Sequence, residues 1–382
     1  MLTRNRLLAG ASALAAASFV PPAQAQDTGA SPPPPPGTTV AVALGDSVAA
    51  IQLKLNSVPA GGSLVFPAGT YNFGGRTVRG KSGITVYARG VVTINNGPSA
   101  GTNGVFDFSN LQGWVVRGLA PGQGFVFNGS LVNATGANNF SVGNNVFSGQ
   151  ASNGLDGSAI RLSGASFGLI INNDFNNCGG NVLGMYNWDN ITCDGNHFDG
   201  SYQPWSVHNP DTPTLTLGRN LIFRRNVILG ARRAAIEIGP SSTGSQYFSG
   251  LIVDNNFFDN FNNDPASGQG TLLPISLVGQ ASVNSTVTNN FIRRGPINAG
   301  VVCVGIEFTG SGECKNNTIW NFSYTIMTYG NGWNVHDNMI YNDGSGPSFG
   351  TLNNGKGTGT FGPENIVTSP PPVPARPARI AW

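Results

Sequence analysis

Outside its first 25 residues the chain holds only four glutamates, Glu237, Glu307, Glu313 and Glu364. Two of them recur at one position of a repeated triplet: an apolar residue, a variable residue and, usually, a second apolar residue. The copies are Ile160-Arg161-Leu162, Leu183-Gly184-Met185, Ile236-Glu237-Ile238, Ile275-Ser276-Leu277 and Ile306-Glu307-Phe308. Val207-His208-Asn209 and Ile326-Met327-Thr328 fit less closely. Side chains alternate across an extended strand, so the flanking apolar residues turn inward and the middle residues line one outer face. With consecutive triplets on adjacent strands, Glu237 and Glu307 stand two strands apart, their backbones separated by about 10 Å. Their carboxylates then reach a separation of roughly 6.5 to 9.5 Å, which suits inverting hydrolysis of a glycosidic bond: one acid protonates the leaving oxygen and one base activates water. The competing reading makes both glutamates ordinary solvent-facing residues of a sheet.

Other residues could complete such a site. His208, one strand from Glu237, could share or tune proton transfer, or simply bond a turn. Asp211 follows it in an inserted segment as a reserve acid, although Asp-Thr-Pro is also an ordinary turn sequence. Arg161, three strands from Glu237, could hold a sugar carboxylate or hydroxyl. The pairs Arg224-Arg225, Arg232-Arg233 and Arg293-Arg294 could each meet an anion, against solvated turns as the default. Of these, Arg233 joins Ser276, which stands between the two glutamates in the row, as a substrate-binding candidate. Tyr186, Trp188 and Trp205 could stack on the apolar faces of sugar rings, or serve as core.

The elements that must position these residues are announced by a second repeat. Eight stretches share an apolar residue, two variable positions, Asn, one variable position and then Phe or Ile, from VGNNVF at Val142 to VHDNMI at Val335. The shared residues are Asn145, Asn173, Asn196, Asn226, Asn256, Asn290, Asn317 and Asn338, at intervals of 28, 23, 30, 30, 34, 27 and 21. Such a period belongs to a solenoid. The role expected of each Asn is structural, its amide bonding turn backbone and its neighbours in adjacent coils. Between the Asn rows the chain lengthens around His208, Glu237, Ser276 and Glu307. Residues 209–220 and 239–250 would form one wall of a groove and residues 259–274 and 293–302 the other.

The Asn ladder, the triplet strands and the stretch LNSVPAGGSLVFPAGTY from Leu55 to Tyr71 together resemble the right-handed parallel β-helix proteins of the pectate-lyase-like superfamily, over roughly Asp46 to Asp343. The resemblance implies an all-β fold: a single-domain right-handed parallel β-helix, a three-sheet solenoid, with an N-terminal capping helix. Val48, Ile51 and Leu55 would form that helix's buried face and Asp46 its cap. It also implies that the sheet carrying the triplets bears the substrate cleft, and that the substrate is a carbohydrate. Hydrolases, lyases and epimerases all use this fold, so the fold does not choose among them. The Asn-Thr-Asp, Asp-Asp, Gly-His-Gly and Arg-Ile-Lys motifs of polygalacturonase-type hydrolases are absent. So is the aspartate cluster of calcium-dependent pectate lyases, and no residue is carried over from either.

Composition agrees with a large, turn-rich β domain: 54 glycines and only 10% charged residues. Arg4 and Arg6 before the apolar run Leu7 to Val20, with Ala23 and Ala25 ahead of Gln26, read as a secretory signal peptide over residues 1–25. Its removal leaves 18 of 20 basic residues against 18 acidic ones, and no basic stripe suggests nucleic acid. No later segment is long and apolar enough to span a membrane. Residues 26–40, with Pro32 to Pro36, read as a linker, 41–345 as the β-helix and 346–382 as a Gly/Pro-rich tail without a core pattern. Cys193 and Cys314 fill core positions four coils apart, about 19 Å at the strand spacing, and cannot bridge. Pairing of either with Cys178 or Cys303 stays open. No spacing supports a metal site, and no cofactor is expected. The reading is of an exported enzyme, secreted or periplasmic, that cleaves a polysaccharide or oligosaccharide by hydrolysis. The alternatives are elimination at a uronate or epimerisation in the same groove, and a non-catalytic glycan-binding or adhesin-like β-helix.

Overall fold

The computed structural model describes residues 37–96, 104–149, 158–179, 181–185, 189–201, 203–208, 219–231, 234–239, 247–261, 271–272, 274–277, 281–295, 302–322, 324–328, 332–342, 360–361 and 365–380. One coil accompanies each ladder Asn. In the coil of Asn173 the strands are Ser166–Ile171, Asp174–Asn176 and Asn181–Met185. They pair in parallel with Asp189–Asp194, His197–Asp199 and Gln203–His208 of the next coil. Repetition of this pairing builds three stacks of strands and therefore a parallel β-helix. The first and second stacks flank the Asn turn and share one continuous sheet, while the third forms a sheet of its own.

Alternation within each short strand fills the interior. Ile170, Phe175 and Leu183 of one coil lie over Cys193 and Phe198 of the next, all fully buried. Because identical places stack, aromatic rings repeat directly above one another: Phe127, Phe147, Phe175 and Phe198 are stacked at centroid separations of 4.8, 5.2 and 4.7 Å. Such offset pairs add about 0.5–1.5 kcal/mol each beyond their burial.

The Asn turn uses two residues for two purposes. The residue before each ladder Asn has a left-handed backbone: Asn144, Asn172, Asn255, Asn289, Asn316 and Asp337 have φ between 53° and 57°, and Gly195 has 65°. Asn, Asp and Gly enter this region at the lowest cost, which explains why the repeat so often reads Asn-Asn. Arg225 is the exception at φ 53°, and both it and Arg224 are tied to the buried Asp194 carboxylate. Arg225 Nη2 reaches Oδ2 at 2.6 Å and Nε reaches Oδ1 at 2.9 Å, while Arg224 Nε reaches Oδ2 at 2.8 Å. The ladder Asn itself is buried in every coil. Asn256 is typical: its Oδ1 accepts from the Asn226 backbone N–H at 2.9 Å and from Asn226 Nδ2 at 3.0 Å. Its Nδ2 donates to the Phe223 carbonyl and to Asn290 Oδ1, both at 2.9 Å.

At the N-terminal end the helix Val48–Ser57 closes the coil, with Val48, Ile51 and Leu55 buried as expected. Its cap is Ser47 rather than Asp46, the Ser47 hydroxyl accepting from the Ala50 N–H at 3.2 Å. Asp46 instead accepts from the Ala43 N–H and from Lys54 Nζ, because its side chain points back into the preceding turn. Gln52 completes the seal. Its amide accepts from the Arg79 N–H at 2.7 Å and donates to the Arg79 carbonyl at 3.0 Å, standing in for the strand that the edge of the third stack lacks.

Both domain limits differ from the sequence reading. Thr39 and Val40, assigned to the linker, continue the strand of Ala41 and pair with Ser63 and Leu64. The coil also continues past residue 345: Thr360–Phe361 pairs with Asn334 and Val335, and Asn365–Val367 pairs with Met339–Tyr341. This last coil lacks a ladder Asn, so the repeat cannot reveal it. Residues 368–380 then leave the coil and return along its outside. All four cysteines are buried thiols, and burial pushes the Cys178 thiol up to about 12. Among the described residues no helix is long and apolar enough to cross a membrane. The segment 1–25, read as a signal peptide, lies outside them.

Candidate functional site

Lateral pairing of the third stack decides which residues share its outward row. Arg161 pairs with Gly184, Gly184 with Ser206, Ser206 with Glu237, Glu237 with Ser276 and Ser276 with Glu307. Met327 follows Glu307, and Asn133 and Asp107 precede Arg161. The two glutamates therefore do occupy one row two strands apart, about 10 Å between backbones, with Ser276 between them.

The row corrects one placement. The sequence reading puts His208 beside Glu237, but the partner of Glu237 is Ser206, and His208 pairs with Gly239 two residues further along. The triplet of this coil is Trp205-Ser206-Val207. The backbone of Trp205 is in register with those of Leu183 and Ile236. A tryptophan in an apolar place disguised the phase of the repeat. Tyr186, Trp188, Asp211 and Arg233 lie outside the described residues, as do most of the expected walls, at 209–218, 240–246, 262–270 and 296–301.

Glu237 and Glu307 are each half-buried. Ser276 is only 4% exposed although it belongs to the outward row, because a short side chain between two long ones lies in a recess. Its Oγ donates to Glu307 Oε2 at 3.3 Å. A hydroxyl has one hydrogen to donate, so in this arrangement Glu307 receives it. The two carboxylates thus differ in environment although their backbones are equivalent.

Toward the N-terminal end the row stays polar. Arg161 is half-buried about 14 Å from Glu237 along the stack. At Gly184 a Cβ would overlap the hydroxyl of buried Ser158, so the row dips there. Asn133 donates to Asp107 Oδ1 at 3.1 Å and accepts from Thr135, which ties both side chains into turns.

The wall bases are braced from the second stack. Arg293 Nε and Nη2 reach Asp259 Oδ1 and Oδ2 at 2.6 and 2.8 Å, joining the strands from which 262–270 and 296–301 depart. The hydrogen bond to Asp259 raises the Arg293 pKa above its ordinary value. Arg224, Arg225 and Arg293 thus have carboxylate partners within the protein and are not waiting for an external anion. The sequence reading missed Ser206, whose only signal was an apolar-Ser-Val triplet opened by tryptophan.

Comparison of the fold finds similar solved structures. The tailspike protein of E. coli bacteriophage HK620, solved with a pentasaccharide, superposes with a TM-score of 0.57 at 16% identity over 84% of this chain and 61% of its own. The catalytic domain of a GH87 α-1,3-glucanase in complex with nigerose gives 0.51 at 14% identity over 86% of this chain and 70% of its own. The chain spans about three-fifths of the tailspike's length. At these identities the likeness is one of fold. No family model matches the chain, and no curated protein matches it.

Proposed function

We propose that this chain is an exported carbohydrate-active enzyme that hydrolyses glycosidic bonds of a polysaccharide or oligosaccharide on the outer face of the third stack. The observation that carries the reading is the row Glu237, Ser276, Glu307, in which a buried hydroxyl separates two half-buried carboxylates and bonds one of them. In a two-carboxylate mechanism the spacing leaves room for water between one carboxylate and the anomeric carbon. Glu307, which accepts the Ser276 hydrogen, suits the general base that takes a proton from that water. Glu237 is then the acid that protonates the departing glycosidic oxygen. Ser276 positions Glu307, and Arg161 is a binding residue for a carboxylate or hydroxyl three strands away. That the tailspike and the glucanase were solved with oligosaccharides on the same fold supports carbohydrate as the substrate class. The basic, apolar and small-residue sequence of residues 1–25 supports export.

A panel of neutral and acidic glycans, read for both reducing ends and unsaturated sugars, tests the reaction. Hydrolysis is expected to release reducing ends without ultraviolet absorbance. Unsaturated products would replace the hydrolytic reading with elimination, and binding without turnover across the panel would replace it with a glycan-binding role. On a confirmed substrate, Glu237→Gln and Glu307→Gln are each expected to lower kcat about 10²–10⁴-fold. Full turnover in either variant sinks the assignment. N-terminal sequencing of the exported protein is expected to begin at Gln26.

A further inference from the structure

The outward face of the second stack carries an unusual apolar track. Phe257 and Phe291 are 3% exposed, and Val227 and Trp320 are 8% exposed, although their strand neighbours Phe258, Ile292, Ile228 and Ile319 are the ones that fill the interior. The rings form a continuous run. Phe257 stacks on Phe291 at 4.9 Å, Phe291 meets Trp320 edge-on at 5.4 Å, and Trp320 meets Tyr341 edge-on at 5.4 Å. The track leads to a polar end at the turn of Asn172, with Asp174 beside it.

Residues 368–380 follow this face. They start from Val367, paired with Tyr341. The Arg376 guanidinium lies 5.7 Å from the Phe257 ring centroid. Arg379 Nη2 then bonds Asp174 Oδ1, and Arg379 Nη1 donates to the Asn172 carbonyl at 3.0 Å. Asn172 clasps the backbone of Ile380: its Nδ2 donates to the Ile380 carbonyl at 2.6 Å and its Oδ1 accepts from the Ile380 N–H at 3.1 Å. From Asn365–Val367 back to Asp174–Asn176 is seven strand steps, about 34 Å. The 13 residues from Val367 to Ile380 span about 40 Å as polyproline II, so only a nearly extended chain covers the distance. Pro370, Pro371, Pro372, Pro374 and Pro377 supply that conformation in advance.

We infer that the outer face of the second stack is a peptide-binding groove for an extended proline- and arginine-rich segment, filled in this chain by its own residues 368–380. The recognition has two parts: a cation over the Phe257 end of the aromatic track, and an acid and an amide that hold Arg379 and the Ile380 backbone. It is independent of the hydrolytic reading, since the groove lies on a different stack from Glu237 and Glu307.

Trypsin tests it, because Arg379–Ile380 is a cleavable bond whose arginine is engaged in the groove. The full chain and a synthetic peptide of residues 368–382 are digested in one tube, and cleavage is followed by mass. Docking predicts that the full chain is cut about a hundredfold more slowly than the peptide, in proportion to the population of the open state. Asp174→Ala is expected to raise the rate about tenfold, and Arg376→Ala, which removes the guanidinium over Phe257, about two- to fivefold. Equal rates for chain and peptide would overturn the inference even if a variant failed to fold. So would an unchanged rate in both variants. Protection that appears only as protein concentration rises would overturn the assignment of the occupant to the same chain.

Discussion

Replacing one ladder residue measures what the Asn column contributes. Asn256→Ala removes both hydrogen bonds that Asn256 Oδ1 accepts and both that its Nδ2 donates. Some partners keep a second bond: Asn290 Oδ1 still receives the Asn256 backbone N–H at 3.0 Å, and Asn226 Nδ2 still reaches the Cys193 carbonyl at 3.0 Å. One backbone group loses the bond it made, the Asn226 N–H, at a buried residue. A buried polar group left unpaired costs about 1–3 kcal/mol, and the substitution is expected to cost about that much. Equilibrium urea unfolding of the two proteins reads the difference, with unchanged slope as the check that the same transition is being compared. Amide exchange at Asn226 reads it locally and is expected to accelerate more than exchange in the distant coil of Asn145. A loss below about 1 kcal/mol, with unaltered exchange at Asn226, would refute the reasoning. It would mean that water or a backbone shift satisfies that group and that the ladder is not what holds adjacent turns in register.

Three further outcomes follow from particular side chains. Asp194→Ala leaves Arg225 in a left-handed backbone without its bidentate partner, and is expected to destabilise the fold by about 2–4 kcal/mol in the same unfolding assay, whereas Arg225→Gly in that background should recover part of the loss. His336 sits between Asp337 and Glu313, at 2.6 and 3.3 Å, and its pKa is raised, chiefly by the Asp337 hydrogen bond. Its stabilising contribution is therefore full below the unfolded value of 6.5 and is lost as pH rises through the higher folded value. Because the group is partly exposed and its partners reach solvent, the stability gap between wild type and His336→Gln should be only a few tenths of a kcal/mol at pH 5 and should vanish at alkaline pH. Cys178, Cys193, Cys303 and Cys314 are buried thiols, so a thiol-reactive dye should label none of them in the native protein and all four after unfolding.

Much of this architecture was legible because a solenoid writes its period into the chain. The ladder Asn residues, the inward Phe and Ile residues beside them, and the capping face Val48, Ile51 and Leu55 are local features. Each coil must satisfy the same buried turn and fill the same interior, so each copy repeats the same residue types. That period also put Glu237, Ser276 and Glu307 in one row, and the pairings agree. Other features are set between coils, where sequence distance gives no guide. Whether Ser206 or His208 stands beside Glu237 depends on lateral hydrogen bonds, which an insertion of variable length dephases. The last coil, Thr360–Phe361 and Asn365–Val367, is recognised only by the strands it pairs with. Residues 368–380 have no amphipathic period because a polyproline segment makes no bonds to itself, and its partners Asn172, Asp174 and Phe257 are more than 100 residues away in sequence. The sequence by itself determined the repeating unit, since burial and turn chemistry act on each coil alone. The tertiary structure decided how the coils align and what covers their outer face, since those contacts join residues that share no local pattern.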